Sequence, residues 1–165
     1  MPIKRIEIRW RDLDGFGHVN NSTYLTYLEE ARDQYLTDVL GEAVHRTVIR
    51  HIEVDFASGL TQADDYVDVE VALTGAGSSS VLLEERIVST MDGRVAATAR
   101  TVMVHTDETR AASAPWPPAS RRAIEAALGN TGTVPAGTVP TPPSTAPRPG
   151  GGGTWPPAGD PGRAP

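Results

Sequence analysis

Apolar and polar residues alternate over several short stretches of the chain, a pattern typical of β-strands that bury one face. The alternation predicts five strands, over residues 3–10, 48–56, 67–74, 81–88 and 95–105. Between the first two, residues 23–40 follow the period of a helix, and Gly41 is a residue type that commonly ends one. One strand, a long helix and four further strands favour an α+β fold, in which an antiparallel sheet packs against one helix.

The predicted helix is apolar over well over half of its circumference. Its apolar positions are Tyr24, Leu25, Leu28, Ala31, Tyr35, Leu36, Val39 and Leu40. A helix of this kind is expected to be wrapped by the sheet. Arg32 falls within the apolar arc and Glu29 lies at its edge, three positions earlier. Because a buried charge is costly without a partner, we expect these two to form a structural ion pair, in preference to binding substrate.

The composition of the chain changes near Gly129. Beyond it, Gly, Pro, Thr, Ser and Ala predominate, and Leu, Ile, Phe and Met are absent. Such a segment buries too little apolar surface to offset the entropy of ordering, so we expect residues 129–165 to be disordered. Residues 1–128 then form one domain, which closes with a short helix over residues 120–128 that Gly129 ends.

Charge and composition exclude several classes of function. The 165 residues carry a net charge of -6, which disfavours binding to nucleic acid or to anionic membranes. There is no cysteine, and therefore no disulfide, thiolate metal site or cysteine nucleophile. No segment approaches the roughly 20 apolar residues of a membrane span, and the N-terminus lacks the apolar core of a secretory signal. We expect a soluble, cytoplasmic protein.

A polar loop, residues 12–21, leads directly into the long helix. The free backbone N–H groups at a helix start bind or polarise an oxygen atom, and a nearby carboxylate, Asp12 or Asp14, supplies a base or nucleophile. Together these are the parts that ester or thioester hydrolysis needs. His18 would assist by hydrogen bonding, or it is a structural or solvent-exposed residue of the turn. The alternative at this stage is that the loop only caps the helix, since Asn20, Asn21 and Ser22 are all good cap residues.

Other kinds of active site lack their motifs. The four histidines have no metal-binding spacing, so no metal site is expected. The chain also contains no serine nucleophile elbow, phosphate-binding loop or dinucleotide fingerprint.

The stretch DLDGFGHVNNSTYLTYLEEAR, residues 12–32, resembles the hotdog-fold acyl-CoA thioesterases of the 4-hydroxybenzoyl-CoA thioesterase type. The plant acyl-ACP thioesterases share its HVNN signature. The resemblance implies a hotdog fold, with an antiparallel sheet wrapped around a central helix, and protomers that pair with active sites at their interface. It gives Asp14 the role of attacking the thioester or activating water. The backbone N–H of Asn21 would polarise the thioester carbonyl.

The resemblance also suggests residues that contact substrate. Asn20 and Tyr24 lie beside the catalytic positions, and Tyr27, Leu28 and Phe56 are further candidates for the acyl pocket. The segment GSSSVLLEER, residues 77–86, is similar to a turn and strand near the coenzyme A arm in the family. Its substrate-binding candidates are Ser79, Ser80 and Arg86, which would meet pantetheine or phosphate. The alternative is that the segment only forms a turn.

One position departs from the plant enzymes, which place an Asn two residues after the aspartate and a His two further on. Here the first of these is Phe16, while His18 is kept. Asp14 with backbone donors is therefore the assignment that the residues support. Asp12 is expected to order the loop by accepting hydrogen bonds, because a second carboxylate nearby would raise the pKa of one of them.

These observations predict a homodimeric or homotetrameric acyl-CoA thioesterase that needs no metal or other cofactor, coenzyme A being part of the substrate. Two alternatives stay open. An acyl-ACP thioesterase would need a basic docking face, which the net charge of -6 disfavours. A non-catalytic acyl-thioester binding protein would keep the fold without the chemistry, and it would have little reason to retain Asp14.

Overall fold

The structure, a computed structural model, describes residues 2–130 of the chain. Its strands are β1 (Ile3–Glu7), β2 (Thr47–Phe56), β3 (Tyr66–Ala76), β4 (Ser80–Ser89) and β5 (Val95–His105), and its helices are α1 (Asn21–Leu40) and α2 (Pro118–Asn130). The predicted order of one strand, a long helix and four strands is confirmed. The disorder predicted for the tail falls on residues that, from 131 onward, lie outside the described part.

The five strands form one antiparallel sheet in the order β1-β3-β4-β5-β2. Each of β3, β4 and β5 pairs with a neighbour on both sides, whereas β1 and β2 are the edges. Alternate residues of β4 are buried and half-buried, as expected when one face of a sheet packs on a core. The buried face, called the inner face below, carries both helices.

Helix α1 is fixed at both ends by residues that the sequence suggests. The Asn20 side chain accepts a hydrogen bond from the Ser22 N–H and so caps the first turn. The helix begins at Asn21, two residues before the predicted start at Thr23. At the other end Gly41 adopts a positive φ of 56°, and its N–H donates to the Thr37 carbonyl. Leu25 departs from the predicted apolar arc, since 41% of it is exposed.

The partner predicted for Arg32 is wrong. Its Nη1 donates to both carboxylate oxygens of Glu85 on β4, at 2.9 and 3.2 Å, and does not pair with Glu29. Arg32 is 2% exposed, and Thr101 on β5 donates to the same carboxylate. The helix packs Arg32 onto the inner face of the sheet, where a carboxylate distant in sequence is closer than one on the same helix.

Two element boundaries also differ from the prediction. Strand β1 ends at Glu7 because residues 10–12 form a single 3₁₀ turn, in which the Asp12 N–H donates to the Arg9 carbonyl. Helix α2 runs through Gly129, which keeps a negative φ, to Asn130. The first two residues assigned to the tail therefore belong to a helix.

Candidate active site

The loop before α1 is held in one conformation by its own hydrogen bonds. An antiparallel bridge joins Leu13 to Val19, and the Asp14 N–H donates to the His18 carbonyl at 2.7 Å. Asp14 Oδ1 accepts from the N–H groups of Phe16 and His18, at 2.8 and 3.2 Å. Gly17 makes the turn possible, because its φ of 80° is unfavourable for other residues. In the described part of the chain, the second carboxylate oxygen of Asp14 accepts no hydrogen bond.

Helix α1 begins with a backbone donor, the Asn21 N–H, that is unpaired among the described residues. The Asn20 N–H donates to the Asp12 carbonyl at 2.8 Å, and the Asn20 side chain accepts from Ser22. Asn20 is thus engaged as the cap. Asn21 is the first helical residue, and its N–H has no acceptor within residues 2–130. A free N–H at a helix start carries partial positive charge, so this part of the loop suits a developing negative charge on oxygen.

Asp12 orders the loop, as predicted. It is buried, and its Oδ2 accepts from the Arg9 N–H at 2.9 Å and from the Tyr27 hydroxyl at 2.8 Å. Burial alone would raise the pKa of the Asp12 carboxyl, but these hydrogen bonds outweigh it and lower the pKa below its usual value. Asp12 is therefore ionised at neutral pH, and its stabilising effect is lost as the pH falls through that lowered pKa.

Replacing Tyr27 with phenylalanine is expected to lower the free energy of unfolding by about 1–3 kcal/mol, because the buried Asp12 carboxylate loses a donor. Urea unfolding at pH 7 measures the change. Tyr66→Phe, at a more exposed tyrosine, is the matched control and should stay within about 0.5 kcal/mol of the wild type. Equal midpoints for Tyr27→Phe and the wild type would contradict this account of Asp12.

Aromatic side chains surround the loop, some buried and some open. Tyr24 is buried and packs edge-on against Phe56, with ring centroids 5.2 Å apart. Its hydroxyl accepts from the Leu60 N–H at 3.1 Å, so Tyr24 anchors a neighbouring segment. Trp10 and Phe16 are 83% and 89% exposed. The structure thus gathers Asp14, His18, Asn20, Asn21 and Tyr24 at the start of α1.

The other predicted substrate-binding residues lie elsewhere in the protomer. Ser79 and Ser80 are at the beginning of β4, whose ten residues span about 30 Å. The other end of β4, at Ser89, is linked through Asp64 to Thr61, which lies against the loop. Arg86 is on the outer face of the sheet, where its Nη1 donates to Glu70 at 3.1 Å. Within one protomer these three residues do not join Asp14.

A cavity of about 360 Å³ opens between the second half of α1 and the start of β2. Its lining residues are Glu29, Arg32, Asp33, Thr37, Val44, His45, Thr47, Ile49 and Met103. No sequence pattern indicates this cavity, since its walls come from three separate segments.

Among the described residues, no group of three or more His, Cys, Asp or Glu side chains is placed to hold a metal ion. No helix there is long and apolar enough to cross a membrane.

Comparison with known proteins decides the family. The thioesterase-like superfamily matches residues 8–124, which include the loop, helix α1, the first half of α2 and all strands but β1. The chain belongs to this superfamily. The predicted resemblance, the hotdog fold and the assignment to the thioester hydrolases are thereby confirmed at the level of the family. No curated protein matches the chain.

Solved structures support the same assignment for this superfamily member. A thioesterase from Thermus thermophilus, complexed with coenzyme A and zinc, is 33% identical, with a TM-score of 0.69 over 77% of this chain and 93% of that one. A predicted thioesterase from Bacillus stearothermophilus is 26% identical, with a TM-score of 0.68 over 76% and 95% of the two chains. A 1,4-dihydroxy-2-naphthoyl-CoA thioesterase from Synechocystis, 21% identical over 74% and 93%, shares the fold at a TM-score of 0.65.

Sequence reasoning missed a second layer behind the loop. Residues 58–61 lie against it, and the buried Asp64 accepts from the N–H and hydroxyl of Thr61. A signal was available, because a threonine followed three residues later by an aspartate is a pattern typical of a capping box. Asp64 and its partner Arg94 are taken up below.

Proposed function

We propose that this protein is an acyl-CoA thioesterase, which converts an acyl-CoA and water to a carboxylic acid and free coenzyme A. The observation that carries the proposal is that one ordered loop presents the Asp14 carboxylate and, where α1 begins, an Asn21 N–H that has no acceptor among residues 2–130. Oxygen adds to the thioester carbonyl, the C–S bond breaks, and the sulfur leaves as the thiol with the proton that water supplies.

Each group has a role that follows from its chemistry. The Asp14 carboxylate either removes a proton from the attacking water or attacks the carbonyl itself. The Asn21 N–H stabilises the negative charge that develops on the carbonyl oxygen. His18, whose ring is exposed beside Gly59, is proposed to assist by hydrogen bonding. The reaction is proposed to need no resident cofactor, since coenzyme A enters as part of the substrate.

Coenzyme A is favoured over a carrier protein as the thiol. The Thermus thermophilus relative was crystallised with coenzyme A. Carrier proteins are acidic, and the net charge of -6 on this chain disfavours docking of such a partner. A cytoplasmic location is part of the same proposal.

A second copy of the chain is proposed to complete each site. Strand β2 is a ten-residue edge with no neighbour beyond it in the described chain, and Ile49 and Phe56 on its inner face are 47% and 49% exposed. Two β2 strands paired antiparallel about a twofold axis would bring opposite ends of the two sheets together. The Ser79–Ser80 end of one copy, with its cavity, would then lie beside Asp14 of the other.

Thiol release from acyl-CoAs with short, long and aromatic acyl groups tests the activity. We expect turnover of at least one of them. Thiol release only from an acyl carrier protein thioester would support the alternative of an acyl-ACP thioesterase. Binding of acyl-CoA without turnover of either substrate class would support the non-catalytic alternative.

Replacing Ile49 with aspartate is expected to shift the protein from an oligomer to a monomer and to abolish turnover, because a charge would face the apolar flank of β2. Sedimentation velocity measures the mass, and circular dichroism confirms the fold. Ile3→Asp, at an exposed isoleucine on the opposite edge strand β1, is the control and should leave mass and turnover unchanged. A wild-type monomer that turns over substrate would contradict pairing through β2.

A further inference from the structure

Residues 58–61, called the bracing segment here, lie directly behind the candidate catalytic loop. The Val19 N–H donates to the Leu60 carbonyl at 2.8 Å, and an antiparallel bridge joins His18 to Thr61. The His18 ring lies over Gly59, so closely that a Cβ on that glycine would be 3.4 Å from the ring. The position of His18 therefore depends on where this segment lies.

The bracing segment is also tied to helix α1. The Tyr24 hydroxyl accepts from the Leu60 N–H at 3.1 Å and contacts the Ser58 carbonyl at 3.4 Å. Tyr24 is buried in the first turn of the helix, one turn from the free Asn21 N–H. A shift of the segment would move both sides of the site.

A cluster of charged groups behind the bracing segment fixes it in place. Arg94 Nη2 donates to the Gly59 carbonyl at 3.0 Å and lies 2.6 Å from Asp64 Oδ1. Asp64, which is 1% exposed, accepts from the Thr61 N–H at 2.8 Å and from the Ser89 hydroxyl at 2.7 Å. The two side chains therefore hold the segment at Gly59 and at Thr61, and Asp64 attaches it to the end of β4.

We propose that Arg94 and Asp64 are positioning residues for thioester hydrolysis. They act through the bracing segment on His18 and the Asp14 loop. Neither is bonded to the Asp14 carboxylate or to the Asn21 N–H. The inference rests on the proposed function, because it concerns the rate of that reaction.

Replacing Arg94 with alanine is expected to lower kcat by about 10- to 100-fold while KM changes little, since a misplacement of about 1 Å at reacting groups costs rate and not binding. Arg94→Lys should restore part of kcat. Lysine keeps the charge near Asp64, but it is a point donor and cannot reproduce the fork that Arg94 extends to three acceptors. At temperatures well below unfolding, loss of a residue needed only for stability would not lower kcat selectively while KM stays unchanged.

Two variants serve as matched controls. Arg5→Ala removes an arginine that bonds Asp68 through two nitrogens, both at 2.8 Å, on the outer face of the sheet. Asp92→Asn alters a residue that accepts from Arg94 Nη1 at 2.9 Å and from the Arg94 N–H at 3.1 Å, and it leaves Arg94 bonded to the bracing segment. Both should retain wild-type kcat. The double variant Arg94→Ala with Tyr24→Phe should lose less than the sum of the two single losses, because both anchor the same segment.

Hydrogen exchange gives a readout that does not depend on turnover. Arg94→Ala should exchange the Val19 amide faster than the wild type does, while amides in the middle of β4 stay protected. Where Arg94→Ala does not fold, Arg94→Lys and Asp64→Asn carry the same test. Unchanged exchange at Val19, or a kcat within twofold of the wild type, would overturn the proposal. A wild-type protein without turnover would refute the proposed function, and the exchange result would then decide alone whether the cluster positions the loop.

Discussion

Replacing Asp14 with asparagine is expected to lower kcat for acyl-CoA hydrolysis by about 10³-fold, the usual range for loss of a general base, with little change in KM. Asparagine keeps an oxygen that accepts the N–H groups of Phe16 and His18, so the loop should hold its shape. It removes the negative charge and puts a poorly nucleophilic amide nitrogen where the second oxygen stood. Free-thiol release at saturating substrate measures the loss.

Asp38→Asn is the matched control, because it makes the same chemical change at an exposed aspartate on α1. It should turn over at the wild-type rate. Circular dichroism and sedimentation should show that both variants keep the fold and mass of the wild type. Equal rates for Asp14→Asn and the wild type would remove Asp14 from the mechanism and leave the loop as a cap of the helix alone.

Replacing Arg32 with methionine is expected to lower the free energy of unfolding by about 3–5 kcal/mol, the effect of leaving one member of a buried ion pair without its partner. Glu85, which is 1% exposed, would stay buried with Thr101 as its remaining donor. Burial already raises the pKa of Glu85 in the wild type, although Arg32 opposes that rise. Urea unfolding at pH 7 measures the loss.

The pH dependence of the Arg32→Met variant provides a further check. A carboxyl with a raised pKa in the folded state favours folding at low pH and opposes it as the pH rises through that pKa. The deficit of the variant should therefore shrink on acidification. Replacing Glu85 with leucine in the same chain should recover most of the lost stability, since no unpaired charge remains. Glu29→Gln should leave the free energy of unfolding almost unchanged. A large decrease would instead support the ion pair between Arg32 and Glu29 that the sequence predicts.

The parts of the fold that depend on local patterns follow from the sequence. Alternation and helical period locate all five strands and α1, and the polar loop before Thr23 marks the cap and the candidate carboxylate. Glycine positions such as Gly41 add the ends. Each of these signals lies within a short run of consecutive residues. Residues that are close along the chain are also close in space, so the pattern is visible in the sequence.

Features that depend on contacts between segments far apart along the chain do not follow from the sequence. Arg32 pairs with Glu85, which is far away along the chain, and a helical spacing rule finds only Glu29. Ser79 and Ser80 resemble substrate contacts by motif, yet strand length carries them to the far end of the sheet. The bracing segment escapes notice for the same reason. The bracing segment contacts the loop through backbone groups. Backbone groups are the same for nearly all residue types, so the sequence does not indicate these contacts.

The two hydrogen bonds to one oxygen of Asp14 have a consequence for rate as well as shape. An aspartate on a free loop rotates about its side-chain bonds, and a reaction that needs one orientation must first select it at an entropic cost. Here the Phe16 and His18 amides hold one oxygen, so the fold itself sets the direction of the other. The carboxylate is preorganised, and the entropy of ordering it is lost during folding and not during each turnover.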